Sequence, residues 1–193
     1  MINTALVIID MQKDFVLPEI LPANARAFNI VPTIELLLSF FRSHKMPVFH
    51  IVREYRADTS NVEHMRVDDF RRRPRAIIGT SGCEIVDQLA PIEDEFKVIK
   101  WRFSAFMGSE FDFILRRLKI DHLVICGTQL PNCVRCTVYD AIALEYNVTV
   151  INDAVAARTQ EVHDANIIDL VNLGIKCVAA REFTNNFLNS ENK

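Results

Sequence analysis

The sequence is short of the features that mark several classes of protein. Its 193 residues include 5 glycines and 7 prolines, too few for a collagen-like or low-complexity chain. No apolar run approaches the roughly 18 residues of a membrane-spanning helix. The formal net charge is -3, so no overall positive field attracts DNA, RNA or an anionic membrane. We therefore expect neither a nucleic-acid partner nor a membrane partner.

The N-terminus lacks the basic segment of a secretory signal, and its short apolar run ends at Asp10. The cysteines are odd in number and scattered through strand-like and helix-like segments, which argues against a secreted disulfide framework. They are Cys83, Cys126, Cys133, Cys136 and Cys177. We expect a cytoplasmic protein with at least one working thiol.

Apolar residues make up 50% of the chain, and they alternate between strand-like runs and helical patterns. Strands are predicted at 4–9, 47–52, 96–99, 122–126, 148–151 and 175–178, and helices at 30–45, 109–118, 133–146 and 160–173. Continuous apolar runs are typical of strands buried on both faces of a parallel sheet. The sequence therefore predicts an α/β fold, with a doubly wound, parallel, six-stranded sheet and helices on both faces. Residues 1–193 are expected to form a single domain.

The segment 53–79 interrupts this alternation, since it is polar and has no clear period. A structureless insertion of this length in a compact domain is usually a functional lid or an oligomer contact. Its basic run, Arg71–Arg75, lies among mixed charges, which favours a solvated loop face. Contact with an anionic substrate or another subunit is the alternative.

Reactive side chains follow three of the predicted strands. Asp10 ends the first strand, Lys100 ends the third, and the fourth leads through 127–132 to Cys133, which opens a helix. Each residue alone has an ordinary explanation: Asp10 as a turn residue, Lys100 as a solvated strand end and Cys133 as a small buried side chain. Parallel strands direct their carboxyl ends toward one crevice, so the three groups are expected to converge.

This combination suits nucleophilic catalysis. A thiol at a helix N-terminus is expected to favour the thiolate, and a nearby lysine would lower the thiol pKa further. Asp10 could accept the proton of Cys133 and return it to a leaving nitrogen. Backbone N–H groups before and at Cys133 could stabilise an oxyanion.

Three ordered motifs carry a resemblance to a known family. They are Asp10–Phe15, Lys100–Phe106, and the stretch from Gly127 through Cys133 to Ala141. Over nearly its whole length the chain resembles the isochorismatase-like cysteine hydrolase superfamily. Its members include nicotinamidases, N-carbamoylsarcosine amidases, ureidoacrylate amidohydrolases and biuret hydrolases.

The resemblance implies the isochorismatase-like hydrolase fold and a catalytic triad of Cys133, Asp10 and Lys100. It also implies a cis peptide bond between Thr128 and Gln129, with the backbone N–H groups of Gln129 and Cys133 as oxyanion donors. Cys133 would attack the carbonyl of a small amide, carbamoyl or ureido compound, and water would hydrolyse the resulting thioester. The family commonly forms dimers and tetramers, so a homo-oligomer is expected.

Departures from the subfamilies narrow this expectation. The region 50–58 lacks the Asp-x-His motif with which nicotinamidases bind a divalent metal, so we expect no metal. Isochorismatases proper cleave a vinyl ether without a nucleophilic cysteine, and Cys133 therefore favours C–N hydrolysis. No G-x-G-x-x-G motif opens a helix, so no organic cofactor is implied.

Two other functions stay open on the sequence. One is a catalytically silent binding protein of the same fold, because a fold does not determine a function. The other is thiol redox chemistry at the CxxC of Cys133 and Cys136, although the chain is about twice as long as a thioredoxin unit. Cys136 could also cap an oxidised Cys133 reversibly.

The substrate pocket is the least defined part of the prediction. Six candidate lining residues lie near the triad in the sequence: Phe15, Trp101, Phe106, Gln129, Asn132 and Tyr139. Aromatic residues near strand ends are more often part of the core. Arg53 or Arg56 could bind a carboxylate in bidentate fashion, although exposure to solvent is the favoured expectation for both.

Overall fold

Six parallel strands form one sheet in the computed structural model, which describes residues 3–20 and 25–191. The strands are β1 (Thr4–Ile9), β2 (Val48–Arg53), β3 (Phe96–Lys100), β4 (His122–Thr128), β5 (Asn147–Ala156) and β6 (Lys176–Val178). Their order across the sheet is β3-β2-β1-β4-β5-β6, and every neighbouring pair is parallel. The predicted six-stranded, doubly wound fold is confirmed.

Helices connect the strands. They are α1 (Lys13–Val16), α2 (Ala25–Asn29), α3 (Val31–Ser43), α4 (Val67–Arg72), α5 (Phe111–Arg117), α6 (Arg135–Ala143), α7 (Gln160–Asn172) and α8 (Ala180–Glu191). A wide helical turn, Leu130–Val134, leads directly into α6. The prediction that Cys133 opens this helix is therefore wrong, because the helical chain already begins at Leu130. Within the described ranges, no helix is both long enough and apolar enough to cross a membrane.

Side chains on β1 alternate between two hydrophobic cores. Ala5, Val7 and Ile9 face the core formed with α5, α6 and α7, whereas Leu6 and Ile8 face the core formed with α3 and α8. Successive side chains of a strand point to opposite faces, so a strand with helices on both sides must be apolar throughout. This is why β1 is a continuous apolar run and is entirely buried.

Gly127 allows β1 and β4 to approach each other beside the candidate site. It has a φ of +114°, and a Cβ atom there would lie 2.2 Å from the carbonyl oxygen of Ile9. A side chain at this position would therefore meet the backbone of the neighbouring strand, which cannot yield as a flexible side chain can. The residue after Ile9 is Asp10, so the same contact sets the position of the carboxylate.

Replacement of Gly127 by alanine is expected to lower the free energy of unfolding by about 3 kcal/mol or more. Gly174→Ala is the matched control, because Gly174 also has a positive φ of 91° but has open space around its missing Cβ. The control should cost only about 1 kcal/mol, from the left-handed backbone alone. Urea denaturation of both variants measures the difference, and equal losses would contradict the steric argument.

The segment 53–79 has structure of its own, so the prediction of a structureless insertion is wrong. It contains α4 and packs through a small hydrophobic cluster: Tyr55, Val62, Phe70, Ala76 and Cys83. The carboxylate of Asp14 accepts the backbone N–H of Ala76 at 2.6 Å and ties the segment to α1. The basic run is solvated only in part: Arg71–Arg73 are exposed, whereas the Arg75 side chain is only 18% exposed.

Candidate functional site

Four strand ends supply side chains to one crevice. Asp10 follows β1, Arg53 ends β2, Lys100 ends β3, and Gln129 follows β4. The crevice opens where the strand order reverses between β1 and β4, the position at which open α/β sheets bind ligands. Asp10 has a φ of 53°, a left-handed conformation that is uncommon outside glycine and that is often found at functional sites.

The carboxylate of Asp10 forms a buried ion pair with Lys100. Nζ of Lys100 donates to Oδ2 of Asp10 at 2.8 Å, and the two side chains are 0% and 4% exposed. The other carboxylate oxygen, Oδ1, is buried and has no hydrogen-bond partner of normal geometry among the described residues. Buried polar atoms are rarely left unpartnered, so Oδ1 is available to accept a proton.

The thiol of Cys133 lies beside this pair and is 6% exposed. Burial raises its pKa above the ordinary cysteine value, and the negative charge of Asp10 raises it further. The positive charges of Lys100 and Arg53 act in the opposite direction but do not reverse the shift. Lys100 lowers the thiol pKa, as expected, but burial and Asp10 together outweigh it, so the pKa of Cys133 lies above the ordinary cysteine value. The raised pKa favours the protonated thiol.

Arg53 is buried against Cys133, and the expectation that it is exposed is wrong. Its side chain is 3% exposed, and Nη2 lies 3.7 Å from Sγ of Cys133. Nη1 donates to Oε1 of Glu63 at 2.7 Å and to the hydroxyl of Tyr55. Its guanidinium also lies 5.1 Å from the ring centroid of Phe103. Side chains at the carboxyl ends of parallel strands converge, and Arg53 stands at such an end like Asp10 and Lys100, so its place in the site could have been predicted from the sequence. Arg56, in contrast, is exposed as expected.

Gln12 fixes the end of β2 that carries Arg53. Its side-chain Nε2 donates to the carbonyl oxygens of Arg53 and Cys83, each at 2.7 Å. Its Oε1 accepts the backbone N–H of Arg53, also at 2.7 Å. Gln12 is fully buried, so its hydrogen bonds hold β2 and the turn at Ser81–Cys83 in place.

The loop after β4 brings backbone donors near Cys133. The peptide bond between Thr128 and Gln129, for which the resemblance implies the cis form, is cis. The N–H of Gln129 forms no hydrogen bond to any residue that the structure describes, whereas its carbonyl oxygen accepts the N–H groups of Asn132 and Val134. This leaves the Gln129 N–H available to an incoming oxyanion.

A cavity of about 100 Å³ leads to these groups. Its lining residues are Asp10, Phe15, Arg53, Arg66, Arg75, Phe103, Thr128, Gln129, Cys133 and Arg158. A single buried water needs at least about 10–15 Å³, so the cavity has room for a small molecule. Phe15 and Gln129 line it, in agreement with the sequence prediction. Four of the lining residues are arginines.

The other predicted pocket residues lie outside this lining. Phe106 packs against Phe111 in the core with ring centroids 4.8 Å apart, and Tyr139 donates to Asp169 on α7 at 3.0 Å. Trp101 is 48% exposed, and Asn132 also faces solvent. The structure does not bring these four side chains to the cavity beside Cys133, because closeness in sequence does not set the direction of a side chain on a helix or turn. Their contact with a substrate stays a prediction.

The site does not fit a divalent metal. Within the described residues, no group of three or more His, Cys, Asp or Glu side chains could hold a metal ion. The side chain that faces Cys133 from the end of β2 is a cation, Arg53, which would repel one. His50, in the middle of β2, instead pairs with the buried carboxylate of Glu95 at 2.9 Å.

Comparison with known proteins gives the family. Residues 4–182 match the family model described as the Isochorismatase domain. The chain belongs to the isochorismatase family. A solved structure of an isochorismatase family protein from Desulfovibrio vulgaris superposes with a TM-score of 0.92 and 43% identity, covering 97% of this chain and 100% of that one.

Relatives within the isochorismatase family carry different names. A protein of Arabidopsis thaliana named probable inactive nicotinamidase is 40% identical over 186 residues. The match covers 94% of this chain and 95% of the Arabidopsis protein. The structure of N-carbamoylsarcosine amidase from Thermoplasma acidophilum has a TM-score of 0.77 and 26% identity, over 93% of this chain and 97% of that one. Family relatives thus include proteins named for action on amides and one named as inactive.

Proposed function

We propose that this protein is a cysteine hydrolase that cleaves the C–N bond of a small amide, carbamoyl or ureido compound. One observation carries the proposal: a buried carboxylate, Asp10, pairs with a lysine ammonium and lies beside the thiol of Cys133 in the lining of a small cavity. A nucleophile, its base and a fixed cation are the groups that acyl transfer requires. The family relative named N-carbamoylsarcosine amidase supports this chemistry.

The first half of the reaction forms a thioester. Asp10 takes the proton of the Cys133 thiol, and Sγ attacks the carbonyl carbon of the substrate. The carbonyl oxygen becomes an oxyanion that accepts the backbone N–H groups of Gln129 and Cys133. Asp10 then gives its proton to the leaving nitrogen, the C–N bond breaks, and ammonia or an amine departs.

The second half regenerates the enzyme. Water attacks the thioester carbonyl while Asp10 again accepts a proton, so the same carboxylate serves as base and then as acid. The C–S bond breaks, the acid product leaves, and the proton returns to Sγ. Lys100 keeps the ionised carboxylate stable while it awaits a proton, and Arg53 stabilises the thiolate that forms 3.7 Å from its Nη2.

A silent binding protein of the same fold is the second candidate. The observation that favours it is the raised pKa of the Cys133 thiol, because an inert buried cysteine has the same property. Thiol redox chemistry at the CxxC gains no such support, since burial raises the pKa of Cys136 as well. Reactive redox cysteines instead have lowered values.

Ammonia release across a panel of small primary amides, carbamoyl compounds and ureido compounds tests the proposal. Turnover of at least one compound by the native protein is expected. Turnover of none, by protein that melts cooperatively, would favour the binding protein.

Substitution of Asp10 by asparagine is expected to move two measured quantities in opposite directions. Removal of the negative charge lowers the pKa of Cys133, so alkylation of this thiol by iodoacetamide at pH 7 becomes faster. Turnover falls by about 10²-fold or more, because the general base is lost. Mass spectrometry of the Cys133 peptide follows alkylation, and ammonia release follows turnover. A fall in both rates together would indicate a structural defect instead of a lost base.

A further inference from the structure

The Arg53 guanidinium joins Cys133 to the segment 53–79. Its Nη2 lies 3.7 Å from Sγ of Cys133, and its Nη1 donates to Oε1 of Glu63 at 2.7 Å. A guanidinium is planar and rigid, so a bond that fixes one terminal nitrogen also fixes the direction of the other. The carboxylate of Glu63 therefore determines where Nη2 of Arg53 points.

Glu63 is itself held in place by its neighbours. Its side chain is 11% exposed, and its Oε2 accepts the hydroxyl of Tyr55 at 2.9 Å. Nη1 of Arg66 lies 3.4 Å from the same oxygen. Burial raises the pKa of Glu63, but the positive charge of Arg53 and the hydrogen bonds to Glu63 lower it by more. The carboxylate is therefore a fixed and ionised partner for Arg53.

Other contacts hold the rest of Arg53. Gln12 bonds to its backbone N–H and carbonyl oxygen, each at 2.7 Å, and its guanidinium lies 5.1 Å from the ring centroid of Phe103. Nε of Arg53 is 3.8 Å from Oδ2 of Asp10, too far for a hydrogen bond. Among the described carboxylates, only that of Glu63 lies within hydrogen-bond distance of the guanidinium.

Glu63 lies behind Arg53 as seen from the cavity. It is not one of the described residues that line the cavity, whereas Arg53 and Cys133 are. Glu63 can then affect the thiol by two routes: through the position of Arg53, or through its own charge. The two routes have opposite signs, because a negative charge opposes ionisation of a thiol and a nearby guanidinium favours it.

We propose that Glu63 is a positioning residue: it holds the Arg53 guanidinium against the sulfur of Cys133, so that the thiolate formed during attack has a fixed cation beside it. This inference rests on the proposed function, in which Cys133 is the nucleophile, and gives the segment 53–79 a part in it. Asp10 and Lys100 also face Cys133, but they pair with each other at 2.8 Å. Arg53 is the cation whose position Glu63 can change.

Two conservative variants separate position from charge. Glu63→Asp keeps the negative charge but withdraws the carboxylate from Nη1 of Arg53 by one methylene group. Glu63→Gln removes the charge but keeps an oxygen that can accept the same bond. Glu63→Asp should raise the pKa of the Cys133 thiol, and Glu63→Gln should leave it unchanged or lower it. If Glu63 acted through its charge alone, Glu63→Asp would match the native protein.

The pH dependence of alkylation by iodoacetamide measures this pKa, with mass spectrometry of the Cys133 peptide as the readout. Alkylation of Glu63→Asp at pH 7 is expected to be about three- to tenfold slower than that of the native protein, since a rise of one pKa unit lowers the thiolate fraction about tenfold. Glu54→Asp is the matched control on the same segment, because Glu54 pairs with the half-exposed Lys97 and does not line the cavity. The control should keep the native rate, and thermal melts should show that each variant unfolds cooperatively.

A double variant tests whether Glu63 acts through Arg53. Arg53→Met alone should slow alkylation, because it removes the cation, and Glu63→Asp should slow it no further in that background. A native rate in Glu63→Asp, an equal slowing in Glu63→Gln, additive slowing in the double variant, or no labelling of native Cys133 at any pH would overturn the positioning role.

Steady-state kinetics separate this inference from the proposed function. For an amide that is turned over, Glu63→Asp should lower kcat by a factor similar to that for alkylation and leave KM nearly unchanged, because Glu63 does not line the cavity. Native turnover with an unchanged kcat in Glu63→Asp would overturn the positioning role and leave the hydrolase standing. The expected alkylation pattern without turnover of any amide would overturn the hydrolase and leave the positioning of Arg53 standing.

Discussion

Replacement of Cys133 by alanine is expected to reduce ammonia release by about 10⁴-fold or more, because no other group can form the thioester. Stability should change little in comparison, since the side chain is small and loses only its sulfur. Cys136→Ala is the matched control: it lies one helical turn further along, and it lines a separate surface groove with Met107 and Tyr139. The control should keep near-native turnover.

Two results would contradict this prediction. Near-native ammonia release by Cys133→Ala would exclude covalent catalysis through this thiol. An equally large loss in Cys136→Ala would show that the effect of Cys133 comes from helix packing or from the CxxC pair, and would not reflect nucleophilic attack.

Replacement of Lys100 by methionine is expected to lower the free energy of unfolding by about 3–5 kcal/mol, because removal of one partner leaves the buried carboxylate of Asp10 poorly compensated. Arg53, 3.8 Å from Oδ2, is the remaining cation. Lys97→Met is the matched control on the same strand, since Lys97 is half-exposed and pairs with Glu54 near the surface. That exposed pair should contribute at most about 1 kcal/mol.

A double variant separates the charge effect from a packing effect. If the loss in Lys100→Met comes from the uncompensated carboxylate, Asp10→Asn combined with Lys100→Met should be less destabilised than the sum of the single variants. Urea denaturation of the four proteins measures the coupling. Additive losses would show that the lysine and the carboxylate contribute independently.

The sheet could be predicted well because its strands are buried on both faces. β1 coincides with the predicted 4–9, and β2, β3 and β6 differ from their predictions by one residue at the ends. β5 runs on to Ala156, beyond the predicted 151, because Asn152 and Asp153 interrupt the apolar pattern while the backbone stays extended. The helix α8 has many polar residues and anchors itself mainly through Phe183 and Phe187, a signal too sparse to predict a helix.

The convergence of Asp10, Lys100 and Cys133 could be predicted because parallel strands end at one edge of a sheet. Asp10 and Lys100 lie at strand ends, so this geometry alone predicts that they meet. Cys133 lies shortly after the end of β4, so the same geometry predicts that it lies beside them. The pKa of Cys133 could not be predicted, since it depends on how far burial and Asp10 outweigh Lys100 and Arg53. The arginines of the cavity lining could not be predicted either, because Arg66, Arg75 and Arg158 meet only through tertiary packing. The homo-oligomer, the cytoplasmic location and the lid role of 53–79 stay predictions.

Direct detection of the covalent intermediate tests the central claim most directly. The protein is mixed with an amide that it turns over, quenched in acid within milliseconds, and digested for mass spectrometry of the peptide that contains Cys133. We expect that peptide to gain the mass of the acyl group, and to lose it when hydroxylamine cleaves the thioester. Acylation of another residue, or steady turnover with no acylated peptide at any quench time, would contradict Cys133 as the nucleophile.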